Sequence, residues 1–468
     1  MTDITIDLNK SEGFVVSPPA GTSDWVAAFL SYNNLLAALG TADERSQGYM
    51  LITSPADLYA RLSSTSDNVG WYIDSGEIDS DGNIVYNNET PDKYNANNPT
   101  KANWVNGPDT NLDGTPTGFG SEFWSVANYL SYGGNCFVAG APDNLPSTVN
   151  NGKEIIENTT KTINCVYTTN PARNDTIIDI AQNRGNCMAI CQVNVKAPVS
   201  STTPEGLPTA STAQSKDTFH VAGQKVHLGT SSTLKTGDDT NSSLITTGVA
   251  ADVAGCMARV RSSTNRFQSP AGTGPGALLD VVRMEYDLTS TDRDLLKETH
   301  TNPIRTFEGY GAVLFGDRTG NKSTSESVFN YTNVSLTYQH INRLVSDVIR
   351  QYMFRENNAT SRSGLASGIE SVLRRIVAGG GLTEYAVICD ETNNPESIVL
   401  DGNLIVDVTL KFILSIQSIT LRFRTLSGDQ TTQSPTSSTT GSRPVSVDSS
   451  TGGSLGTTPR SGGGGSSY

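Results

Sequence analysis

Between Asn302 and Arg424 the apolar residues change their spacing twice, and few folds tolerate that change. Ala312-Val313-Leu314-Phe315 is a short apolar run bracketed by Gly311 and Gly316, which reads as a buried strand. From Tyr338 to Phe354, residues Ile341, Leu344, Val345, Val348, Ile349, Tyr352 and Met353 recur every 3.6 residues and make one apolar helix face. A second helix is expected from about Ser363 to Ala378, striped by Leu365, Ile369, Val372, Leu373, Ile376 and Val377. Gly379 to Gly381 stop it, since glycine takes positive φ without a Cβ clash. The period then drops to two. Tyr385 to Cys389, Leu404 to Phe412 and Ser418 to Arg424 read as strands with one covered face. A strand, two helices and three strands form a compact α/β unit able to bury a core.

Composition narrows the function classes. The chain has 468 residues, enough for several domains. Its 33 basic against 47 acidic residues give a net charge of −14. That balance argues against nucleic acid as a partner, because phosphates must be neutralised, and against anionic membranes. No apolar run reaches the ~20 residues that span a bilayer, and no basic-then-apolar leader opens the sequence. Six cysteines without CxxC pairs read as reduced, buried residues of a protein made inside a cell.

Read in order, Ile4, Ile6 and Leu8 alternate with Thr5 and Asp7, a terminal strand followed by a polar, proline-bearing stretch to Pro19. A lone strand is unstable, so it must join a sheet, either in its own chain or in a neighbour. Trp25 to Leu39 reads as a helix. GYMLITSPADLYARL reads as a strand followed by a helix capped by Ser54 with Pro55 at its first position. Residues 70–118 have the composition of a surface insertion, with a hairpin at Asp81-Gly82. Within it, Asp109, Asn111 and Asp113 match the first half of a calcium loop, but position twelve is Gly120 and no helix precedes them. An Asx-turn explains the same residues.

SEFWSVANYLSYGGNCFVAGA and DTIIDIAQNRGNCMAICQVNV each read as helix, glycine turn and strand, and this alternation predicts α/β layers. In the first, Phe123, Trp124, Ala127 and Leu130 form the buried stripe. Weak strands lie around Phe219 to Leu228, in a region rich in Ser, Thr, Gly and Pro. Past Leu426, Ser, Thr, Gly and Pro dominate to Tyr468, a composition unable to bury enough apolar surface to offset ordering entropy. Only RPVSVD, Arg443 to Asp448, alternates there.

Catalytic patterns are wanting. Gly316 to Ser323, GDRTGNKS, has one residue too few between its glycines for a phosphate-binding loop, and Asn321 intervenes before the lysine. His220, His227, His300 and His340 have no zinc-like spacing, and His340, expected near the start of its helix, reads as a surface or capping residue. No GxSxG elbow is present. The acid pair Asp390-Glu391 falls in a loop. These features predict a protein that is not an enzyme and needs no cofactor.

The ordered series NPIRTFEGYGAVLFGDRTG, YTNVSLTYQHINRLVSDVIRQYMF, ENNATSRSGLASGIESVLRRIVAGGGLTEYAVICDETNN and LIVDVTLKFILSIQSITLRF resembles the C-terminal domain of contractile phage tail sheath proteins of the T4-like myovirus kind. TDITIDLN is similar to the N-terminal arm of that family. The resemblance implies a multidomain, mixed α/β chain: a linking arm (1–20), a middle domain (21–300) carrying the insertion, a C-terminal core (301–426) and a tail (427–468). It also implies hexameric rings stacked around a tail tube, contracting to drive the tube through the host envelope. Expected partners are further copies of the chain, the tail tube protein, and baseplate and tail terminator proteins, within the virion. Ile4, Ile6, Leu8, Ile419, Leu421 and Phe423 are the candidates for inter-subunit strands, with the edge that the first strand occupies left open, while Arg374 and Arg375 are candidates for tube contact. Other readings are the sheath of a phage-derived injection system or bacteriocin and, more remotely, a polar, β-rich adhesin.

Overall fold

The computed structural model describes residues 24–30, 44, 47–58, 118–141, 151–195, 206–207, 214–228, 244–263, 265–322 and 327–416. In chain order these hold β1 (Trp25–Leu30), β2 (Tyr49–Ile52), α1 (Gly118–Leu130), β3 (Asn135–Gly140), α2 (Gly152–Asn158), β4 (Ile163–Tyr167), α3 (Asn174–Arg184) and β5 (Met188–Val193). There follow β6 (Thr218–Ala222), β7 (Gln224–Leu228), β8 (Leu244–Gly248), α4 (Ala250–Ser262), β9 (Arg283–Met284), α5 (Ser290–Glu298), β10 (Thr301–Phe307) and β11 (Gly311–Leu314). The last are α6 (Thr332–Arg350), α7 (Ala359–Ala378), β12 (Leu382–Ile388), α8 (Glu396–Leu400) and β13 (Asp407–Phe412).

The main sheet has eight strands in the order β11-β10-β6-β5-β4-β1-β3-β2. From β10 to β3 every pairing is parallel, and the antiparallel strands β11 and β2 close the two edges. A parallel sheet is covered on both faces, so its strands are apolar throughout. β1, WVAAFL, shows why. Val26, Ala28 and Leu30 point to one side, where α1 and α4 supply Trp124, Leu130, Val253 and Met257. Trp25, Ala27 and Phe29 point to the other, toward Ile156 of α2 and Ile177, Ile178 and Ala181 of α3. Full burial of each Val, Leu, Ile, Phe or Met side chain among them contributes about 1.5–3 kcal/mol.

The expected helix over Trp25–Leu39 is therefore corrected: residues 25–30 form a strand between β3 and β4. A run that is apolar on both sides has no period to separate helix from buried strand, and the sheet on either side decided it. Other expectations hold. Ser54 accepts a hydrogen bond from the Asp57 amide at 3.1 Å, as a helix cap does. α3 ends at Gly185 in the left-handed region, φ 64°, its amide bonded to Ala181 O. The strand expected at 312–315 forms as β11, but at the edge of the main sheet and not beside the helix pair. It is held there by β10, whose Thr301–Pro303 pairs with His220–Ala222.

The loop after β11, tested above as a phosphate loop, is clamped by one side chain. Asn302 donates to His220 O at 2.9 Å and Arg318 O at 2.7 Å, and accepts from the Arg318 amide at 2.8 Å. A Cβ at Gly316 would fall 2.6 Å from Asn302 Oδ1, so glycine is required by space.

Candidate functional site

The last ninety described residues carry a second, smaller core. α6 and α7 pack as a helical hairpin through Ile341, Val345, Leu365, Ile369, Val372, Leu373 and Ile376. Both helices form where their 3.6-residue stripes predict, although α6 begins earlier, at Thr332. Asn358 caps α7, its side chain accepting from the Ser361 amide at 2.8 Å.

Against this hairpin lies a two-stranded antiparallel sheet, β12 with β13. Tyr385, Val387, Val408, Leu410 and Phe412 are half-buried and pack on the helix core, while Glu384, Ala386, Ile388, Asp407, Thr409 and Lys411 are exposed. Neither outer edge of this sheet has a further strand among the described residues. Two strands alone are marginal in water, and unpaired edges are templates for another strand. Apolar side chains stand exposed around them: Leu400 at 78%, Leu404, Ile405, Ile413 and Leu414.

The connection between the strands is held rigid by asparagines. Buried Asn394 donates to Ile405 O at 2.9 Å and accepts from the Ile405 amide at 2.7 Å. Asn393 donates to Ile388 O at 2.8 Å and to Asp407 at 3.0 Å. The open sheet is thus presented in a fixed form.

Polar residues of α6 tie this unit to the main sheet. Gln339 donates to Cys187 O and to Asp217 Oδ1, both at 3.0 Å. One turn on, Arg343 bonds Asn164 Oδ1. Gln339, Asn342 and Arg343 share a face at the i, i+3, i+4 spacing, a signal the sequence carries alongside the stronger apolar stripe. His340 lies between them. It is not a surface or capping residue, as expected, but sits in mid-helix and is largely buried. Burial first, then Arg343, Arg261 and Arg266, push its pKa down to about 3. The reason is that α6 starts six residues upstream of Tyr338, at Thr332, so its middle and not its beginning faces the sheet.

Of the residues singled out from sequence, Arg374 and Arg375 are exposed near the C-terminal end of α7 and have no ion-pair partner among the described residues. Ile4, Ile6, Leu8, Asp109, Asn111, Asp113, Ile419, Leu421 and Phe423 lie outside the described residues, as do the hairpin at Asp81-Gly82 and Arg443–Asp448. No group of three His, Cys, Asp or Glu among the described residues could hold a metal. No described helix is long and apolar enough to cross a membrane.

Residues 324–425 match the family described as phage tail sheath C-terminal domain. The tail sheath protein of Vibrio phage KVP40 is 34% identical over 181 residues, 39% of this chain and 27% of that protein. That of Enterobacteria phage T4 is 31% identical over 175 residues, 37% of this chain and 26% of the other. The chain thus spans about a quarter of the length of the curated relatives it matches. The fold is similar to the contracted helical sheath of the anti-feeding prophage, with TM-score 0.57, 13% identity, and 91% and 99% of the two chains covered. It is also similar to the contracted sheath complex of the PVC extracellular contractile injection system, with TM-score 0.56, 15% identity, and 91% and 98% covered. Residues 324–425, within which the described helical hairpin and open two-stranded sheet fall, thus match the phage tail sheath C-terminal domain family, and over somewhat more than a third of its length the chain is similar to the tail sheath proteins of T4-like phages.

Proposed function

We propose that this chain is the structural subunit of a contractile phage tail sheath. The observation that carries the reading is the β12–β13 sheet, rigidly mounted yet, among the described residues, unpaired at both outer edges. A neighbouring copy completes it by adding its Ile4–Leu8 strand, and strand addition through main-chain hydrogen bonds keeps subunits joined while their bodies swivel. We assign Ile419, Leu421 and Phe423 to the same inter-subunit contact. Identical contacts repeated by rotation and rise require two different patches to meet, giving hexameric rings stacked as a sleeve. The sleeve surrounds a tail tube, with baseplate and terminator proteins at its ends, as part of the virion tail. Its work is mechanical and not enzymatic. The extended sleeve is metastable, and contraction buries more surface. Even ~1 kcal/mol per subunit, small beside a domain's stability, sums to a large driving force over many subunits.

The sheath of a phage-derived injection system is mechanically the same, and the likeness of fold to two such sheaths favours it as a second reading. Capsid genes beside the coding sequence distinguish the phage from the device. Electron microscopy of the purified chain tests the shared proposal: tubules are expected, and persistent monomers overturn it. A cysteine at Ile6 in one labelled population should cross-link to a cysteine within 419–423 of another. Cross-links only within single chains would show that the arm folds at home.

A further inference from the structure

At the amino-terminal ends of β1, β3 and β4 the structure opens a cleft of about 350 Å³. Its walls include Asp24, Tyr132, Asn135, Asn164, Arg261 and Arg266. A smaller hollow beside it shares Asp24, Arg261 and Arg266 and adds His340. The charges here are unbalanced. Arg343, nine-tenths buried, reaches Asn164 and stands 4.0 Å from Asp24, which is half exposed. Asp24 is therefore directed at Arg343, and among the described residues no carboxylate pairs with the other two guanidinium groups. Arg266 donates only to a main-chain oxygen, Arg261 O, at 3.2 Å. Arg261 Nη2 is sealed from solvent yet has no hydrogen-bond partner among the described residues. A buried, unsatisfied guanidinium nitrogen is costly, and native proteins rarely leave one without a reason. That three arginines converge here in a chain whose net charge is −14 makes the inversion of sign local and specific.

We propose that this cleft is a binding site for one oxyanion, a carboxylate or phosphate group, held between Arg261 and Arg266 with Arg343 behind. Guanidinium forks match such oxyanions with paired hydrogen bonds, and a site walled by protein strengthens them. The group has two sources: an acidic side chain of a second copy of the chain, or a free anion. The first alternative rests on the self-assembly proposed above, the second does not.

The test uses the full chain in dispersed form, titrated with inorganic phosphate and separately with succinate, followed by calorimetry and by phosphorus NMR line width. One equivalent is expected to bind. Arg266→Gln, which changes an exposed side chain and leaves folding intact, and Arg261→Gln should each weaken binding roughly tenfold, the loss of one charge-assisted contact. No binding to the wild-type chain, or binding in both variants as tight as in the wild type, overturns the proposal whether or not the chain makes tubules. Assembly then separates the sources. If a second copy supplies the carboxylate, assembled wild-type chain no longer takes up phosphate, and phosphate slows assembly of the wild type but not of R266Q. If assembled chain binds phosphate as the dispersed chain does, the site serves a free anion and the second-copy source is overturned.

Discussion

Lys225 Nζ sits 2.7 Å from Asp252 Oδ1, and both side chains are closed to solvent. Lys225 also donates to Leu279 O at 3.0 Å. Tyr132 OH donates to the same carboxylate oxygen at 3.0 Å and accepts from the Leu279 amide at 2.9 Å. Four separate segments thus meet on one ion pair: β7, α4, the end of α1 and the strap before β9. Burial pushes the Asp252 carboxyl up, and Lys225 opposes that push. Removing one partner strands a buried charge, so K225M is expected to cost about 3–5 kcal/mol, while K225M/D252L should lose much less than the two single variants combined. Equilibrium urea unfolding of the four proteins measures the cycle, and additive losses would contradict it.

The same tyrosine limits α4. A Cβ on Gly255 would stand 2.3 Å from Tyr132 Cγ. Alanine in a helix interior is ordinarily favoured over glycine by about 1 kcal/mol. Here the ring has no freedom to retreat, because its hydroxyl is fixed between Asp252 and Leu279. Overpacking of about 1–3 kcal/mol should outweigh the propensity gain. G255A is expected to lower the melting temperature, and G255A with Y132F, which frees the ring, should recover less than the full loss.

Much of the C-terminal unit was legible because its periods are local. The stripes of α6 and α7 and the alternation in β13 can be counted without knowing any partner. The failures share one cause, a decision made at a distance. Trp25–Leu30 is equally apolar on both sides, and only its neighbours β3 and β4 make it a strand. β10 was assigned by pairing with His220–Ala222, some eighty residues earlier. The polar face of α6 was overlooked because Cys187, Asp217 and Asn164 lie more than a hundred residues upstream. The arginine cleft draws Asp24, Arg261, Arg266 and Arg343 from three distant stretches, and no spacing rule would have collected them.

Gln339 offers a direct measure of that overlooked face. Its amide nitrogen satisfies both Cys187 O and Asp217 Oδ1 from within a buried site. Q339A leaves two acceptors without a donor and should cost about 1–3 kcal/mol for each that water cannot reach. Hydrogen exchange should speed in β5 and in the N-terminal half of α6, with the β12–β13 ladder changed less. Uniform acceleration would mean that the contact is not a local tie.

His340 makes stability depend on pH in a definite sense. Its folded pKa is pushed to about 3, below the 6.5 of the unfolded chain. The unfolded chain therefore binds a proton first as pH falls, so stability is present above pH 6.5 and is lost progressively toward about 3. Facing it are Arg343, Arg261 and Arg266, which oppose protonation, and Asp24, which favours it. Buried Asp252 and Asp317, whose carboxyls are pushed up, shift stability the other way and are common to all variants. The informative quantity is thus the stability of the wild type minus that of H340Q, which should rise as pH rises from 4 to 7. A difference independent of pH would remove His340 from the account.

Arg374 and Arg375 test the tube-facing role proposed for α7. They lie beside a buried stripe of Ile369, Val372, Leu373 and Ile376, yet are themselves exposed. Surface substitutions away from packed features usually change stability within about 0.5 kcal/mol, so R374E/R375E should fold normally. Reversing two charges nevertheless turns attraction into repulsion toward an acidic partner, an effect of several kcal/mol where the contact is dry. The variant is expected to form sheath tubules by itself, because neither arginine belongs to the β12–β13 edges, but to fail in co-assembly with the tail tube protein. Sedimentation of mixed sheath and tube, followed by microscopy of the pellet, reads both properties at once. Unchanged co-assembly would assign the tube contact to another surface, and loss of both properties would place these arginines in the contacts between sheath subunits.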